Sequence, residues 1–337
     1  MRSNQVTIKD IARELGISPS TVSRALKDHP DISVETKKAV NELARNLNYQ
    51  PNAIALSLKH SRSFSIGVII PETVHYFFSS VISGIEDIAY EAGYNIMICQ
   101  SNELYSREKS NANMLYSNRV DGLLVSLAKE TTDFNHLKFF TDNNIPLVCF
   151  DRATDELPCD QVVIDDYAAA FKIVEYLIKR GHKNLVHLAA PQHLSIGFNR
   201  KRGFKDALEK HGLPFHEDQV ILADQFEIAI EAVEKLIQSG KMPDGIFAVN
   251  DLTALGAMKA LKKHHIKIPE EVGIAGFGDG QNAQLTDPAL TTVDQNGYSM
   301  GKKAAEILLE RIKSGSEDFI PKKIMIPTEL IVRESVR

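Results

Sequence analysis

The chain has 337 residues, of which 43% are hydrophobic and 25% are charged. This length exceeds what one hydrophobic core supports, so two or three globular domains are expected. No apolar run approaches the roughly 20 residues of a membrane helix, and MRSNQVTIKD lacks the apolar stretch of a signal peptide. Cys99, Cys149 and Cys159 show no metal-ligand spacing, so we expect free thiols in a reducing compartment, the cytoplasm.

Charge is unevenly distributed along the chain. The net charge is −5, but residues 1–60 hold nine Lys and Arg against six Asp and Glu, a balance of +3. The remaining residues hold 30 basic and 38 acidic side chains, a balance of −8. A mildly basic amino-terminal segment on an acidic body is typical of a small DNA-binding module attached to a domain with another role.

Residues 6–26 predict two short helices joined by a tight turn. Thr7 is a candidate N-cap, and Gly16 suits the left-handed residue that ends a helix. Ser18 is placed to cap the second helix, and Pro19 occupies its first position. The residues that would face inward are apolar: Ile8, Ile11, Ala12, Leu15, Ile17, Val22, Ala25 and Leu26.

The outer side of the second helix carries Ser20, Thr21 and Arg24. Short hydroxyl side chains and an arginine are suited to reading base edges in a major groove, so the pattern indicates a DNA-binding helix-turn-helix. Two amphipathic helices around a glycine also occur in many other helical proteins. The pattern alone leaves that alternative open.

Residues 33–63 predict a third helix and a connecting segment. Ser33 is placed to cap the third helix, and Pro51 prevents its continuation. Asn52 then starts a possible short helix that reaches about Lys59. From the residues alone, this segment is best interpreted as a linker helix that packs on the next domain, and a helix this short is marginal in isolation.

The segments TIKDIARELGIS and TVSRAL resemble the amino-terminal signature of the LacI-type repressors. The pattern YxPNxxAxxL, which starts at Tyr49, resembles the hinge helix of the same family. The resemblance implies that this helix pairs with that of a dimer mate in the minor groove, where Leu58 is inserted between base pairs. The side chains assigned to DNA contact are Thr7, Ser18, Pro19, Ser20, Thr21, Ser23, Arg24, Asn52, Ala53, Leu58 and Lys59.

From Phe64 onward, β-rich runs alternate with helical stretches. Such alternation predicts parallel sheets with helices on both faces. The first series of strands covers 65–71, 94–101, 121–127 and 146–152; the second covers 162–164, 184–191, 219–225, 245–251 and 272–279. The helices are expected at 77–92, 107–118, 133–143, 167–180, 198–211, 228–238, 252–264 and 299–313. Two series of similar length predict two doubly wound subdomains with a ligand cleft between them.

Polar side chains follow several of these strands. Asp151, Asn250 and Gln295 stand at strand ends, and Arg200 opens a helix. A carboxylate, two amides and a guanidinium around a cleft could bind a polyol from several sides. Other interpretations remain open at this point, since Asp251 is also placed to cap a helix. The phenylalanines Phe77, Phe78 and Phe226 fit either a ligand platform or the core, and Asp165 and Asp166 are interpreted as helix caps.

The second part of the chain resembles the periplasmic-binding-protein-like effector domain of the same family. The segments FDR, RxxGF at 200–204, AVND at 248–251 and PALTTVDQ at 288–295 carry the resemblance. The family has Gly-aromatic-Asp where this chain has Gly276-Phe277-Gly278-Asp279, so Asp279 either takes over the contact or leaves it absent. The implied effector residues are Phe77, Asp151, Arg200, Phe226, Asn250, Asp279 and Gln295.

The expected architecture is a small all-α helix-turn-helix head followed by an α/β domain of two doubly wound parallel-sheet subdomains. The segment 281–290 is expected to be a loop, because GFGDG does not have the spacing of a dinucleotide motif. The expected domains are a head at 1–50, a hinge at 51–62 and an effector and dimerisation domain at 63–337. Its first subdomain is expected at 63–161 and 295–320, and its second at 162–294 and 321–337.

The resulting hypothesis is a homodimeric regulator that binds a palindromic operator in double-stranded DNA. Its expected role is that of a repressor. A small molecule, a sugar or related metabolite, would control its operator affinity from the cleft, without a metal or other cofactor. The alternatives are control by a protein co-repressor and a stand-alone sugar-binding protein. An enzyme is not expected, because the sequence shows no activated nucleophile, acid–base pair or metal-ligand set.

Overall fold

The computed structural model describes residues 6–49, 62–315 and 320–337. No helix in these ranges is long and apolar enough to cross a membrane. The predicted hinge helix lies outside the described residues, and so do four of the predicted DNA contacts: Asn52, Ala53, Leu58 and Lys59.

The first compact unit, Met1–Phe64, contains a helix-turn-helix and a third helix within its described residues. They are α1 (Ile8–Leu15), α2 (Pro19–Leu26) and α3 (Val34–Asn46). Gly16 ends α1 in the left-handed conformation, at φ 64°. The buried core joins all three helices and consists of Ile11, Ala12, Val22, Ala25, Val40 and Ala44. The predicted helix-turn-helix is confirmed.

The second compact unit, Ser65–Arg337, alternates strands and helices. Its strands are β1 (Ser65–Ile70), β2 (Asn95–Gln100), β3 (Gly122–Val125), β4 (Leu147–Phe150), β5 (Asp160–Ile164), β6 (Leu185–Ala189), β7 (Val220–Leu222), β8 (Gly245–Ala248), β9 (Gly273–Ala275), β10 (Thr292–Asp294), β11 (Lys323–Ile326) and β12 (Glu329–Ile331). Its helices are α4 (Tyr76–Glu91), α5 (Tyr105–Ser117), α6 (Asn135–Asp142), α7 (Asp166–Lys179), α8 (Ser195–Lys210), α9 (Phe226–Gln238), α10 (Asp251–Lys263), α11 (Gln281–Leu285) and α12 (Gly297–Ser314).

A six-stranded parallel sheet has the order β11-β5-β4-β3-β1-β2. Ile66, Val68 and Ile70 of β1 pack in one cluster with side chains of α4 and α12. Ile69 packs on the other side, with Leu115 of α5. Because alternate residues of a strand point to opposite faces, helices cover both faces of this sheet. We call this sheet and its helices the first lobe.

A four-stranded parallel sheet has the order β7-β6-β8-β9. Neighbouring residues of β8 again face opposite sides: Ile246 packs with side chains of α9 and α10, and Phe247 packs with Phe204 of α8. This sheet and its helices form the second lobe. The prediction of two doubly wound parallel sheets is confirmed.

Strands β10 and β12 pair in an antiparallel two-stranded sheet, which a β-bridge between Thr291 and Ala275 of β9 joins to the second lobe. The chain therefore crosses between the lobes three times: after β5, between β10 and α12, and between β11 and β12. Strands β5 and β11 both belong to the six-stranded sheet, where they pair with each other. The predicted boundaries at 161 and 321, which assigned these strands to the second subdomain, are therefore wrong by a few residues. The physical reason is that strand pairing depends on distant neighbours, which apolar runs do not identify. The loop expected at 281–290 is also corrected, since it includes the short helix α11.

Candidate effector site and nucleic-acid interface

The outer side of α2 carries three linked hydroxyl groups. Ser18 Oγ lies 2.7 Å from Ser20 Oγ and 2.8 Å from Thr21 Oγ1. Ser18 Oγ also accepts a hydrogen bond from the backbone N–H of Thr21 at 3.1 Å, which caps the helix. Arg24 is exposed one turn further along, on the same side as Ser20. The free head thus presents oriented hydroxyls and a guanidinium to solvent.

The other DNA contacts predicted for the head are in α2 or at the start of α1. Thr7 is exposed at the start of α1, and its backbone N–H and hydroxyl donate to the Asp10 carboxylate at 2.9 and 2.7 Å. Pro19 is exposed in the first turn of α2, and Ser23 is half-buried in the same helix. Thr7 and Ser18 therefore both stand at helix amino termini, where backbone N–H groups favour a phosphate.

A cavity of about 320 Å³ lies between the two lobes, at the carboxyl ends of their strands. This is where open α/β sheets bind ligands. It is lined by five of the predicted effector residues, which come from different elements: Phe77 from α4, Asp151 after β4, Arg200 from α8, Asn250 after β8 and Gln295 after β10.

Arg200 is held from three sides. Its Nε donates to Asp166 Oδ1 at 2.8 Å, and its Nη1 donates to the carbonyl oxygen of Val249 at 2.5 Å. The guanidinium lies 3.6 Å above the ring centroid of Phe277. Each terminal nitrogen keeps a further N–H for a ligand. Asp166 was interpreted from the sequence as a helix cap; Asp165 is the cap, accepting from Ala168, and Asp166 orients Arg200.

Asp151 is a buried carboxylate with little support from the protein. It is 7% exposed, and among the described residues it accepts one hydrogen bond, a long one from Ser126 Oγ at 3.3 Å. Burial raises the pKa of Asp151 to about 6, against a smaller opposing effect of Arg152. Its backbone is left-handed, at φ 59°, a conformation that Asp tolerates better than most residues. A ligand hydroxyl or amine would supply the missing donors.

Asn250 and Asp251 lie at the start of α10, but their side chains form different hydrogen bonds. Asn250 Oδ1 caps the helix by accepting from the N–H of Thr253 at 2.8 Å. Asp251 accepts from Thr292 Oγ1 at 2.6 Å and from the N–H of Gly280 at 2.8 Å, and burial raises its pKa. The alternative in which Asp251 only caps the helix is therefore wrong. Asp251 lines the cavity beside Asn250.

Two family models match the chain. Residues 7–52 match the model of bacterial regulatory proteins of the lacI family. Residues 63–334, well over half of the chain, match the model of periplasmic binding proteins and the sugar binding domain of the LacI family. The chain belongs to the LacI family.

Individual proteins agree with this membership. The HTH-type transcriptional repressor PurR of Actinobacillus pleuropneumoniae serotype 3 (strain JL03) is 32% identical over 332 residues, 98% of each chain. A lac repressor dimer bound to operator and the anti-inducer ONPF has a TM-score of 0.86 at 22% identity and covers 98% of this chain and 99% of its own. The regulator CelR in complex with cellobiose has a TM-score of 0.74 at 24% identity, with the same coverage. This LacI-family chain is a DNA-binding transcription regulator.

Two predicted effector residues of the LacI-family chain do not line the cavity. Phe226 is half-buried at the start of α9, where Lys259 Nζ lies 5.3 Å from its ring centroid. Asp279 Oδ1 pairs with Arg333 Nη2 at 2.6 Å. Gly278, which precedes Asp279, has a φ of 136°, and the Asp279 carboxylate is used within the protein.

Sequence reasoning missed a group of titratable residues at the cavity of the LacI-family chain, of which His75, Lys129 and Arg152 line it. Arg152 donates to the Glu103 carboxylate at 2.7 and 3.0 Å. Burial raises the pKa of Glu103, but Arg152 and Lys129 together bring it below its usual value. His75 also lines the cavity, and burial, aided by Arg152 and Lys129, lowers its pKa to about 4. Only the position of these residues after strands signalled them, and that signal is shared with many structural residues.

Proposed function

We propose that this regulator is a repressor that binds a palindromic operator as a homodimer. A small molecule in the cavity controls its operator affinity. The observation that carries the proposal is the convergence of Asp151, Arg200, Asn250 and Gln295 beside Phe77 in one cavity. A few convergent polar groups next to an aromatic face suit a sugar or a related metabolite with a ring. The complex of CelR with cellobiose shows that a protein of this fold accommodates a sugar.

We propose a separate role for each group of head residues. Ser20, Thr21 and Arg24 read bases, with Arg24 as the guanine contact, and Pro19 makes an apolar contact. Ser23 is a further DNA contact of the same helix. Thr7 and Ser18 hold phosphates. The hinge contacts rest on the sequence alone: Asn52, Ala53, Leu58 and Lys59 in the minor groove.

The proposal assigns no catalytic step, no metal and no further cofactor to the cavity, and it places the chain in the cytoplasm. The division into a head at 1–50, a hinge at 51–62 and an effector domain at 63–337 is part of it. The lining cations are each held by a carboxylate, as Arg200 is by Asp166 and Arg152 is by Glu103. Such pairing orients donors for binding.

Selection of bound sequences from a random DNA pool by the full-length protein, followed by footprinting, tests the DNA-binding part. A palindrome with a central, deformable step supports the dimeric regulator. A pool without an enriched sequence contradicts it. The enriched duplex then serves as the probe for screening sugars and nucleosides that shift operator affinity.

Arg200→Ala tests the effector part with that probe. The variant is expected to bind the operator and to lose the response to any sugar or nucleoside that acts on the parent, because the guanidinium faces the cavity. Lys201→Ala is the matched control, since the neighbouring side chain pairs with Glu217 at the surface. An equal loss in both variants, or a retained response in Arg200→Ala, argues against the assignment.

Leu58→Ala tests the hinge contact. Removal of the inserted side chain is expected to weaken operator binding and to reduce the DNA bend, while the effector domain stays folded. Gel phasing with the selected operator measures the bend. An unchanged bend excludes insertion by Leu58.

A further inference from the structure

Two loops from opposite lobes meet beside the cavity. Lys129 follows β3 of the first lobe, and Asp224 follows β7 of the second. Lys129 Nζ lies 2.7 Å from Asp224 Oδ2 as an ion pair without the geometry of a directed hydrogen bond. The two side chains are 18% and 10% exposed. His193 Nε2, also from the second lobe, lies 2.7 Å from the carbonyl oxygen of Lys129, so the same residue is joined to that lobe twice.

The ion pair continues into the proposed effector contacts on both sides. Asn250 Nδ2 donates to the carbonyl oxygen of Asp224 at 3.1 Å. In the first lobe, Glu103 accepts the N–H of Lys129 at 2.9 Å and binds the guanidinium of Arg152. Arg152 is the neighbour of Asp151. A series of polar contacts therefore runs from one effector residue across the cleft to another.

The position of the pair makes it sensitive to lobe movement. A nearly buried ion pair is strongly attractive at contact, and opening of the cleft would exchange this attraction for hydration of the two separated charges. In the part of the chain that the structure describes, the other carboxylate near this ammonium is that of Glu103, whose Oε1 lies 3.8 Å from Lys129 Nζ and which already binds Arg152. Opening of the cleft would therefore separate Lys129 from Asp224 while leaving Glu103 satisfied. The pair opposes opening.

We propose that the Lys129–Asp224 pair is a latch that holds the two lobes closed. Lys129 and Asp224 are then positioning residues of the effector response, which act through Asn250 and through the separation of the lobes. The link to operator affinity rests on the proposed function, whereas the effect on lobe separation does not.

The first arm of the test measures lobe separation in the full-length protein. Spin labels are attached at Thr132→Cys in the first lobe and Gln225→Cys in the second, both exposed positions; the three natural cysteines are buried. Double electron–electron resonance is expected to show a longer and broader distance distribution for Lys129→Met than for the parent. Lys263→Met is the control, because Lys263 forms a 2.7 Å pair with Glu234 inside the second lobe. An unchanged distribution in Lys129→Met overturns the latch.

The second arm measures affinity for the selected operator without effector. Lys129→Met and Asp224→Asn are each expected to shift it by about fivefold or more in the same direction, a typical size for coupling between sites. The double variant should shift it no further, since one contact is lost in all three, and Lys129→Arg should keep the parent value. Independent, additive shifts contradict the latch. If no operator is found, the proposed function fails, and the spin-label arm still decides the latch.

Discussion

The surface of the DNA-binding head is organised by contacts between near neighbours in sequence. The effector cavity is organised by contacts between residues that are distant in sequence. In the head, Ser18 orients Ser20 and Thr21, its neighbours in one helical turn. In the cavity, Arg200 depends on Asp166, 34 residues away, and Arg152 depends on Glu103, 49 residues away. The head groups are exposed or half-buried, whereas Asp151, Arg152, Arg200 and Gln295 of the cavity are buried.

This difference has an energetic consequence. An exposed cap is supported by one helical turn, and its loss costs about 1 kcal/mol. A buried charge depends on one distant partner, and removal of that partner costs about 3–5 kcal/mol. We therefore expect the loss of a buried charge partner to cost more stability than the loss of an exposed cap. Each variant below tests this contrast, in order of decreasing expected effect.

The largest effect is expected for Asp166→Ala. The substitution leaves the buried Arg200 guanidinium without its carboxylate, so the free energy of unfolding should fall by about 3–5 kcal/mol. Urea unfolding followed by circular dichroism measures this loss. Asp165→Ala, one residue earlier, removes only the cap on Ala168 and should cost about 1 kcal/mol. If both variants lost the same free energy of unfolding, a buried charge partner would contribute no more to stability than an exposed cap.

Asp151→Asn is expected to have the opposite sign at neutral pH. The pKa of Asp151 is about 6 in the folded chain, against 3.8 as the ordinary value. Between these values the folded chain holds a proton that the unfolded chain releases, so its contribution to stability falls as pH rises through that window. The ionised carboxylate is thus destabilising at pH 7, and Asn should stabilise the fold there by about 2–3 kcal/mol.

The same substitution should give only a small part of this gain at pH 4, because Asp151 is protonated in the folded chain and only partly ionised in the unfolded chain. Urea midpoints of variant and parent at pH 4 and pH 7 provide the measurement. His75 and His187 also titrate in the window, since burial lowers the pKa of each to about 4. They are present in both proteins, so the difference between variant and parent isolates Asp151. A difference that is the same at both pH values would argue against its raised pKa.

The range of contacts also explains what the sequence could predict. Caps, the Gly16 turn and the apolar faces of the head act within one or two helical turns, and they were predicted correctly. Alternating strands and helices predicted both sheets, and the rule of strand ends found Asp151, Asn250 and Gln295. The sequence did not identify Lys129 or Asp224, because their contact depends on how two distant loops meet.

The same limit explains the errors in the second unit. Asp166 has the residue type and position of a helix cap, and only the packing of α7 against α8 shows that it serves Arg200. Asp279 has the residue type of an effector contact, but Arg333, from the segment that follows β12, uses its carboxylate. Strand β11 has the pattern of any apolar strand, and its neighbour β5 is fixed by the assembled sheet. In each case the partner is remote in sequence, and local patterns carry no information about it.

The smallest effect on stability is expected for Ser18→Ala. A second N-cap in the head, Ser33, provides a matched control for this substitution. Ser33 caps α3 as Ser18 caps α2, by accepting the N–H of Thr36 at 3.2 Å. Ser18→Ala and Ser33→Ala should each cost the head about 1 kcal/mol in thermal unfolding. Fluorescence anisotropy with the selected operator should separate them, because Ser18 also orients Ser20 and Thr21 and stands at a predicted phosphate contact. We expect Ser18→Ala to lose about fivefold more affinity than Ser33→Ala, the size of one hydrogen bond. Equal losses of affinity would mean that the linked hydroxyls of α2 serve the helix alone, and base reading would then rest on Arg24.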